Sequence, residues 1–366
     1  MKITKPTLLL DKGKCRKNIE NMVDRAKEFN CKLRPHFKTH QSHEIGEWFK
    51  ECGIDSCAVS SLEMAKYFHK SGWKDITVAF PLNLLEIDTV NYLAKEITLN
   101  ICVESVETVQ WLNKEIRHPL KIFIKIDAGY HRTGVQAQKF EEIQSIINEI
   151  EKNELVNFVG FIQHAGHSYQ AKGKEEINKI HQETSQLMID LKDHFKKQYP
   201  ELIISNGDTP SCSICSDFDH IDEMRPGNFV FYDVMQAEIG SCSYNDIAVA
   251  LACPVVAKHK DRNEIILYGG AIHLSKDRIE QNGRTIYGLI SKKEDERWGS
   301  PIKNCYMKKL SQEHGTMHVD DEKFDEFNIG DIVYVLPIHS CLTANLMSQY
   351  TTLEGEIINM FQYRQA

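Results

Sequence analysis

The sequence lacks a long apolar run. None of its 366 residues fall in a stretch of about 18 consecutive apolar residues, which a membrane-spanning helix requires. The apolar part of the N-terminal stretch "MKITKPTLLLDKGKC" is too short for the core of a signal peptide. We therefore expect a cytoplasmic protein with no membrane partner.

An excess of positive charge is also missing. The chain has 44 Lys and Arg against 52 Asp and Glu, a formal net charge of −8, and no basic stripe. A nucleic-acid-binding surface normally carries such a stripe. The charge balance therefore predicts that nucleic acid is not a partner.

Signals for paired cysteines are weak. The 11 cysteines are an odd number and lie mostly beside apolar residues, as in "IDSCAVSS" and "NICVES". Cys212 and Cys215 have the spacing of a zinc knuckle, but no second pair completes a tetrahedral site. We interpret the cysteines as reduced thiols that pack in the interior.

The Gly-rich dinucleotide fingerprint is absent after the first predicted strand, where "RPHFKTH" stands instead. Short β-like runs alternate with amphipathic helical patterns through this part of the chain. Eight such alternations predict a parallel (β/α)8 barrel of the TIM type, with an open doubly wound sheet as the alternative. The predicted strands are residues 32–36, 57–60, 76–80, 98–103, 121–126, 156–163, 202–205 and 222–225.

The pattern changes near residue 245. Runs such as "DIAVALACPVVAKH" and "GDIVYVLPIH" are rich in β-branched residues and are broken by Gly, Pro and charge. We predict a barrel domain over residues 1–244 and a β-rich domain over residues 245–366. Residues 1–15 are candidates to pair with the β-rich domain.

Lys38 stands out in the stretch "LRPHFKTHQSHE". If this stretch is a strand, Arg34, His36, Lys38 and His40 point to one face, because strand side chains alternate sides. A lysine between histidines suits a partly desolvated site where a neutral amine is needed. The alternative is an ordinary exposed lysine.

Other motifs follow later predicted strands. They are "DAGYHRTG" (residues 127–134), "QHAGHSY" (163–169), "NGDTPSCS" (206–213) and "RPGN" (225–228). The carboxyl ends of barrel strands carry the functional side chains, and the loops after the last two strands frequently hold phosphate. A lysine opposite a phosphate site suggests pyridoxal phosphate (PLP) as the cofactor.

Seven motifs together resemble the metal-activated D-serine dehydratase and D-threonine aldolase family: "RPHFKTH", "DAGYHRTG", "HAGHSY", "GDTPS", "MRPGNFVFYD", "SQEHG" and "PIHSCLTANL". That family belongs to the fold-type III PLP enzymes, which have an alanine-racemase-like barrel. The resemblance runs from about residue 6 to residue 345, and seven motifs occur in the family's order. The sequence departs from the family at Tyr268-Gly269-Gly270, where relatives usually carry an aspartate–alanine–glycine-like segment. This departure leaves the identity of the substrate undetermined.

The resemblance implies a role for each site residue. Lys38 would bond covalently to the aldehyde of PLP, and a homodimer is expected. Backbone N–H groups would receive the phosphate, and other side chains would lie near the cofactor. The implied cofactor-binding residues are Lys38, Arg132, His164, Tyr169, Gly207, Asp208, Thr209, Gly227 and Asn228.

His339 and Cys341 form the candidate metal pair. They lie two residues apart in "PIHSCLTAN", and on an extended stretch both would face the same way. From the residues alone, a packed histidine and cysteine is the default interpretation. The resemblance implies instead a divalent metal near the substrate, and an imidazole with a thiolate favours zinc over harder ions.

The leading hypothesis is a PLP-dependent, metal-activated lyase that acts on D-3-hydroxy amino acids, with conversion of D-serine to pyruvate and ammonia as the first choice. Lys38 would remove the α-proton, and the metal held by His339 and Cys341 would activate the β-hydroxyl. The alternatives are retro-aldol cleavage to glycine and an aldehyde, an amino-acid racemase, and a PLP carrier without catalysis. The residues do not decide among them.

Overall fold

The computed structural model describes residues 2–294 and 297–362. Within these ranges it has eleven α-helices and twenty β-strands. The helices are α1 (Lys12–Glu28), α2 (His43–Glu51), α3 (Leu62–Lys70), α4 (Ile87–Glu96), α5 (Val106–Glu115), α6 (Phe140–Ile150), α7 (Lys174–Phe195), α8 (Thr209–Ile214), α9 (Val234–Glu238), α10 (Ala271–Leu274) and α11 (Ser340–Met347). The strands are β1 (Thr7–Leu10), β2 (Lys32–Leu33), β3 (Ser56–Val59), β4 (Asp75–Pro81), β5 (Thr98–Val103), β6 (Leu120–Asp127), β7 (Val135–Gln136), β8 (Val156–Ile162), β9 (Ile203–Asn206), β10 (Glu223–Met224), β11 (Val249–His259), β12 (Glu264–Tyr268), β13 (Ile279–Gln281), β14 (Arg284–Ile286), β15 (Gly288–Glu294), β16 (Arg297–Leu310), β17 (His314–His318), β18 (Ile332–Pro337), β19 (Gln349–Thr352) and β20 (Ile357–Asn359).

The described residues divide into two compact units. Residues 21–38 and 46–227 form the first, which we call the barrel unit. Residues 2–20, 39–45 and 228–362, without the undescribed 295–296, form the second, which we call the sheet unit. Among the described residues, the chain thus changes unit at four peptide bonds: Glu20–Asn21, Lys38–Thr39, Ile45–Gly46 and Gly227–Asn228. The predicted boundary between residues 244 and 245 stays a prediction.

The barrel unit is built on one parallel sheet. Its strand order is β2-β10-β9-β8-β6-β5-β4-β3, and all neighbouring strands run parallel. A parallel bridge from His36, three residues beyond β2, to Ala58 in β3 joins the two ends of this order. The predicted eight-stranded barrel is therefore confirmed, and the open doubly wound sheet is wrong.

The first barrel strand differs from its prediction. Regular pairing in β2 stops at Leu33, and residues 37–40 lie in turns. Pro35 has no N–H group to donate to a strand ladder, which favours an early end to regular pairing. The expectation that Arg34, His36, Lys38 and His40 share one strand face is therefore wrong.

Arg34 instead belongs to a buried ion network in the barrel unit. Its Nε lies 2.6 Å from Glu223 Oε2, and its Nη1 lies 2.7 Å from Asp75 Oδ1. Burial raises the pKa of Asp75, but the hydrogen bond and charge of Arg34 outweigh this effect and lower that pKa to about 2. The network ties β2 to β10 and β4, on either side of the point where the barrel closes.

We expect Glu223→Gln to lower the free energy of unfolding by about 3 kcal/mol, because it removes one charge from a buried pair. Urea unfolding of this variant gives the value. The control is Glu142→Gln, which breaks an exposed pair with Lys139 and should leave stability close to that of the native protein. A Glu223→Gln protein as stable as the control would contradict the assigned role.

The same network predicts a pH dependence. The pKa of Asp75 in the folded protein is about 2, below its value of about 3.9 in an unfolded chain. The stabilisation that Asp75 contributes is therefore complete above pH ~4 and is lost as the pH falls toward 2.

The sheet unit contains the predicted β-rich fold. Its nine strands have the order β12-β17-β16-β15-β18-β11-β1-β19-β20, and β12 also pairs with β11. Six strands therefore form a closed antiparallel ring, to which β1, β19 and β20 are added. β1 comes from the N-terminal segment and pairs with β11 and β19.

The cysteines form no disulfide among the described residues. Eight are buried, and Cys52, Cys242 and Cys341 are partly exposed. Cys212 and Cys215 are buried near α8, where their carbonyl oxygens accept hydrogen bonds from Arg25. No helix in residues 2–294 and 297–362 has the length and apolar character needed to span a bilayer.

Candidate active site

Lys38 follows a firmly anchored residue in the barrel unit. Phe37 is fully buried, and its ring centroid lies 4.8 Å from those of Phe68 and Trp73. Its N–H donates a 2.8 Å hydrogen bond to Ala58 O in β3. Lys38, in contrast, is exposed. The aromatic core thus fixes the backbone from which the Lys38 side chain extends.

Two histidines near Lys38 are held neutral. His36 Nδ1 accepts a 3.3 Å hydrogen bond from Lys38 N. Burial, and then the charge of Lys38, lower the pKa of His36 and of His164 well below the ordinary range. His164 Nδ1 is also hydrogen-bonded to Gly207 O, which assigns its proton to Nδ1. His40, the other predicted neighbour, belongs to the sheet unit, where burial lowers its pKa to about 3.

The motifs after β8 and β9 meet at the start of α8. Asp208 caps this helix by accepting hydrogen bonds from Ser211 N at 2.7 Å and from Ser168 Oγ at 2.8 Å. The N–H of Thr209 donates to the Tyr169 hydroxyl at 3.1 Å. Thr209 Oγ1 is buried and has no partner among residues 2–294 and 297–362. Five predicted residues therefore lie together: His164, Tyr169, Gly207, Asp208 and Thr209.

Gly207 permits a close approach of the loops after β9 and β10. A Cβ atom at this position would lie 2.7 Å from both Arg225 Cβ and Arg225 O. A larger residue would therefore push the two loops apart. Farther along the second loop, the backbone N–H groups of Gly227 and Asn228 make no hydrogen bond within the described part of the chain.

Arg132 reaches the same end of the barrel unit through Tyr130. Its guanidinium lies 4.9 Å from the Tyr130 ring centroid, and that ring lies edge-on to His164 at 6.0 Å. Gly166 leaves room for the ring, because a Cβ there would overlap Tyr130. Tyr130 stands inside the "DAGYHRTG" motif, but its contacts with Arg132 and His164 could not be predicted from the motif.

Lys125 was also missed. It is buried in β6, where desolvation and the charge of Arg225 lower its pKa to about 8. The charges of Lys38 and Lys125 both act on His164. A signal was available, since Lys125 is a charged residue inside the otherwise apolar run "IFIKI". This end of the barrel unit is strongly cationic and suited to an anionic ligand.

The candidate metal pair belongs to the sheet unit. β18 ends at Pro337, His339 is the N-cap of α11, and Cys341 lies in the first turn of that helix. The expected extended stretch is therefore wrong: α11 begins at Ser340, whose N–H donates to Asp233 at 3.0 Å. The helical turn still brings the His339 and Cys341 side chains within hydrogen-bonding reach.

The charges around His339 favour its protonated form when no metal is bound. Burial lowers the pKa of His339, but the hydrogen bond to Asp277 and the contact with Cys341 outweigh burial and raise it to about 11. His339 Nδ1 lies 2.7 Å from Asp277 Oδ2. A metal ion at the other ring nitrogen, Nε2, would take the place of the second proton of the charged imidazole.

Cys341 is surrounded by groups that can donate hydrogen bonds to a thiolate. Thr39 Oγ1 lies 3.2 Å from its sulfur, and Asn228 Nδ2 lies 3.5 Å from it. No cluster of three or more His, Cys, Asp or Glu suited to a metal occurs among residues 2–294 and 297–362. The nitrogen and sulfur pair therefore fits zinc in its donor types and leaves coordination positions open for water or substrate.

Both contacts of Cys341 come from residues next to predicted cofactor residues. Thr39 is joined by a peptide bond to Lys38, and Asn228 to Gly227. The chain passes between the two units at these same bonds. Sequence inspection did not identify Thr39, because its contact partner lies 302 residues away.

The glycines of the Tyr268-Gly269-Gly270 segment have a packing reason. A Cβ at Gly269 would overlap the sulfur of Cys253, and one at Gly270 would overlap backbone oxygens of Ser311 and Gln312. The end of β12 thus packs closely on the chain that follows β16. This close packing requires glycine at both positions.

The parallel barrel, with a lysine and Gly-containing loops at its strand ends, fits the alanine-racemase-like fold that the sequence resemblance implies, and the comparison with family models agrees. Residues 10–234 match the alanine racemase N-terminal domain, and residues 248–353 match the family described as "Putative serine dehydratase domain". The chain belongs to the alanine racemase N-terminal domain family. The predicted membership in the D-serine dehydratase and D-threonine aldolase family of fold-type III enzymes is confirmed.

Particular relatives match over nearly the whole chain. A D-serine dehydratase from Dictyostelium discoideum is 29% identical, and the match covers 98% of this chain and 95% of the relative. A D-threo-3-hydroxyaspartate dehydratase from Delftia sp. HT23 is 24% identical, with 96% and 94% covered.

The Delftia dehydratase is also a structural neighbour, with a TM-score of 0.91 and 98% of each chain covered. This likeness shows the shared fold. Two variants of that enzyme have also been solved. In one, alanine replaces a cysteine and the structure is a metal-free form. In the other, alanine replaces the histidine two positions before that cysteine.

Proposed function

We propose that the protein is a PLP-dependent, metal-activated lyase that converts D-serine to pyruvate and ammonia. The observation that carries the proposal is the environment of Cys341. Its sulfur contacts Thr39 and Asn228, the residues that directly follow Lys38 and Gly227. The family match over both halves of the chain supports the same reaction class.

We assign the cofactor to the cationic end of the barrel unit. Lys38 would bond to the aldehyde, and the phosphate would accept hydrogen bonds from the N–H groups of Gly227 and Asn228 and from Thr209 Oγ1. The N–H groups of Gly227 and Asn228 and the hydroxyl of Thr209 have no hydrogen-bond partner among the described residues, which supports their role in binding the phosphate. When bound, PLP supplies an electron sink for a carbanion at the α-carbon.

The chain's own residues would handle the protons. The free Lys38 amine would take the α-proton, which requires a general base within reach of that atom. His36 and His164 are neutral, so neither adds a positive charge beside this amine. Arg132 and Tyr169 would help to orient the bound molecules.

We assign zinc to His339 and Cys341, although another divalent ion with a preference for nitrogen and sulfur would also fit. The metal-free cysteine variant of the Delftia dehydratase supports a metal in this family. When bound, zinc supplies Lewis-acid assistance to a leaving hydroxyl group. Thr39 and Asn228 would hold the Cys341 sulfur in its thiolate form.

Gly227→Val is expected to weaken PLP affinity at least 10-fold while the protein remains folded, because the side chain hinders approach of the phosphate to the backbone N–H groups. Titration of the cofactor absorbance measures the affinity, and thermal unfolding checks the fold. Gly13→Val, in the first turn of α1 and not assigned to the site, is the control, since Gly13, like Gly227, has no positive φ. Unchanged PLP affinity in a folded Gly227→Val protein would remove this residue from the site.

The location, the oligomeric state and the partners of the enzyme are also proposals. We propose a cytoplasmic homodimer whose partners are small D-amino acids. The size of the particle in solution, measured by light scattering, tests the oligomeric state.

The function is tested with a panel of D- and L-3-hydroxy amino acids. Keto acid and ammonia from D-serine support the proposal. Glycine and an aldehyde from D-threonine would indicate an aldolase, and loss of optical activity would indicate a racemase. Bound PLP without any product would indicate a carrier and overturn the proposed activity.

A further inference from the structure

Asp277 is tied to the candidate metal ligand His339 from a distant part of the sheet unit. Its Oδ2 lies 2.7 Å from His339 Nδ1, although 62 residues separate the two in sequence. Both side chains remain 34% exposed, so solvent and small ions can reach them. This carboxylate was not among the residues identified from sequence.

The segment that carries Asp277 is fixed in place. Asp277 N–H donates to Ser275 Oγ at 3.1 Å, and Ser275 ends α10 with a φ of 68°. Thr343, on α11, donates a 3.2 Å hydrogen bond from its buried hydroxyl to Leu274 O. The segment after α10 is therefore attached to the helix that begins at His339.

The hydrogen bond determines which ring nitrogen can bind a metal. A carboxylate accepts, so His339 Nδ1 must carry the proton in this pair. A metal can therefore bind only at Nε2, after the proton that Nε2 carries in the metal-free form has left. Histidine ligands of metals are commonly oriented in this way by a carboxylate on the other nitrogen, which also increases their basicity.

We propose that Asp277 is a positioning residue that fixes the His339 ring with Nε2 available to zinc. This inference rests on the proposed metal function of His339 and Cys341. Asp277 acts through His339 and contacts neither the substrate nor the cofactor. Its carboxylate raises metal affinity by fixing the ring orientation and its tautomer.

A purely structural ion pair is the competing explanation. In that case, removal of the Asp277 carboxylate would lower the stability of the zinc-free protein and leave zinc affinity as it was. A positioning role would instead lower zinc affinity itself, in addition to any small loss of stability in the zinc-free protein. Zinc affinity is therefore the measured quantity that distinguishes the two explanations.

The experiment measures zinc affinity of the full chain by competition with a chromophoric chelator. We expect Asp277→Ala to weaken zinc binding about 10–100-fold, the usual cost of losing such a partner. The zinc affinity of Asp277→Asn should lie between those of the native protein and Asp277→Ala, because the amide oxygen of Asn can still accept a hydrogen bond from His339 Nδ1–H. PLP absorbance should be unchanged in both variants.

Two controls complete the design. Asp127→Asn changes a similar carboxylate, whose Oδ2 lies 2.9 Å from His131 Nδ1 in the barrel unit, and should leave zinc affinity unchanged. Thermal unfolding is recorded with and without zinc. The zinc-dependent rise in midpoint should shrink in Asp277→Ala. The zinc-free midpoint should fall only slightly, because the His339–Asp277 pair is 34% exposed at both side chains.

The outcomes separate the two proposals. If Cys341→Ala binds zinc as tightly as the native protein, the proposed metal function is wrong. If Cys341→Ala loses zinc while Asp277→Ala retains native zinc affinity, only the role of Asp277 is overturned.

Discussion

Lys38→Ala should reduce pyruvate formation from D-serine by about 10²–10⁴-fold, the usual range for loss of a positioned general acid or base. The substitution also removes the amine that would bond to PLP. Borohydride reduction of the native protein, followed by peptide mapping, should find the cofactor attached to Lys38 and to no other lysine.

The fold should survive this substitution. Lys38 is exposed, whereas the neighbouring Phe37 provides the packing. The thermal midpoint of Lys38→Ala should therefore match that of Lys70→Ala, which alters an exposed lysine on α3 with no assigned role. A reduced adduct on a different lysine, with full activity in Lys38→Ala, would contradict the assignment.

Removal of the metal should abolish pyruvate formation from D-serine and leave PLP bound. Hydroxide is a poor leaving group without a Lewis acid, whereas the PLP residues belong mostly to the other unit of the chain. Chelation followed by elemental analysis gives the metal-free protein. Its cofactor absorbance should be nearly that of the zinc-loaded form.

Cys341→Ala should behave like the chelated protein, with zinc affinity lowered more than the roughly 10–100-fold seen for outer-shell changes. Cys52→Ala is the matched control, since Cys52 is also partly exposed but has no assigned metal role. Cys341→Asp is expected to favour manganese, a harder ion, over zinc. Full activity in protein shown to be metal-free would return His339 and Cys341 to a packing role.

The barrel could be predicted because its signals are local. Most of the eight strands are short, largely apolar and followed by polar or Gly-rich residues, and residues 98–103 were predicted with the bounds that β5 has. The first strand was the exception. Its alternating residues look like a strand, but Pro35 limits the ladder, and the partners of Arg34 lie 41 and 189 residues away.

The metal pair could also be predicted only in part, because some of its contacts join residues far apart in sequence. The spacing of His339 and Cys341 could be read from sequence, but the start of α11 between them depends on Asp233, 107 residues before Ser340. Asp277 and Thr39 could not be identified, because their contacts with the pair depend on tertiary packing. Lys125 could have been noticed as a lone charge in an apolar strand.

The products that the protein forms from D-serine after loading with PLP and zinc are the sharpest test of the proposed reaction. We expect pyruvate and ammonia in equal amounts, with L-serine left unchanged. A fully loaded protein that forms no pyruvate from D-serine, or that instead forms L-serine or glycine, would contradict it.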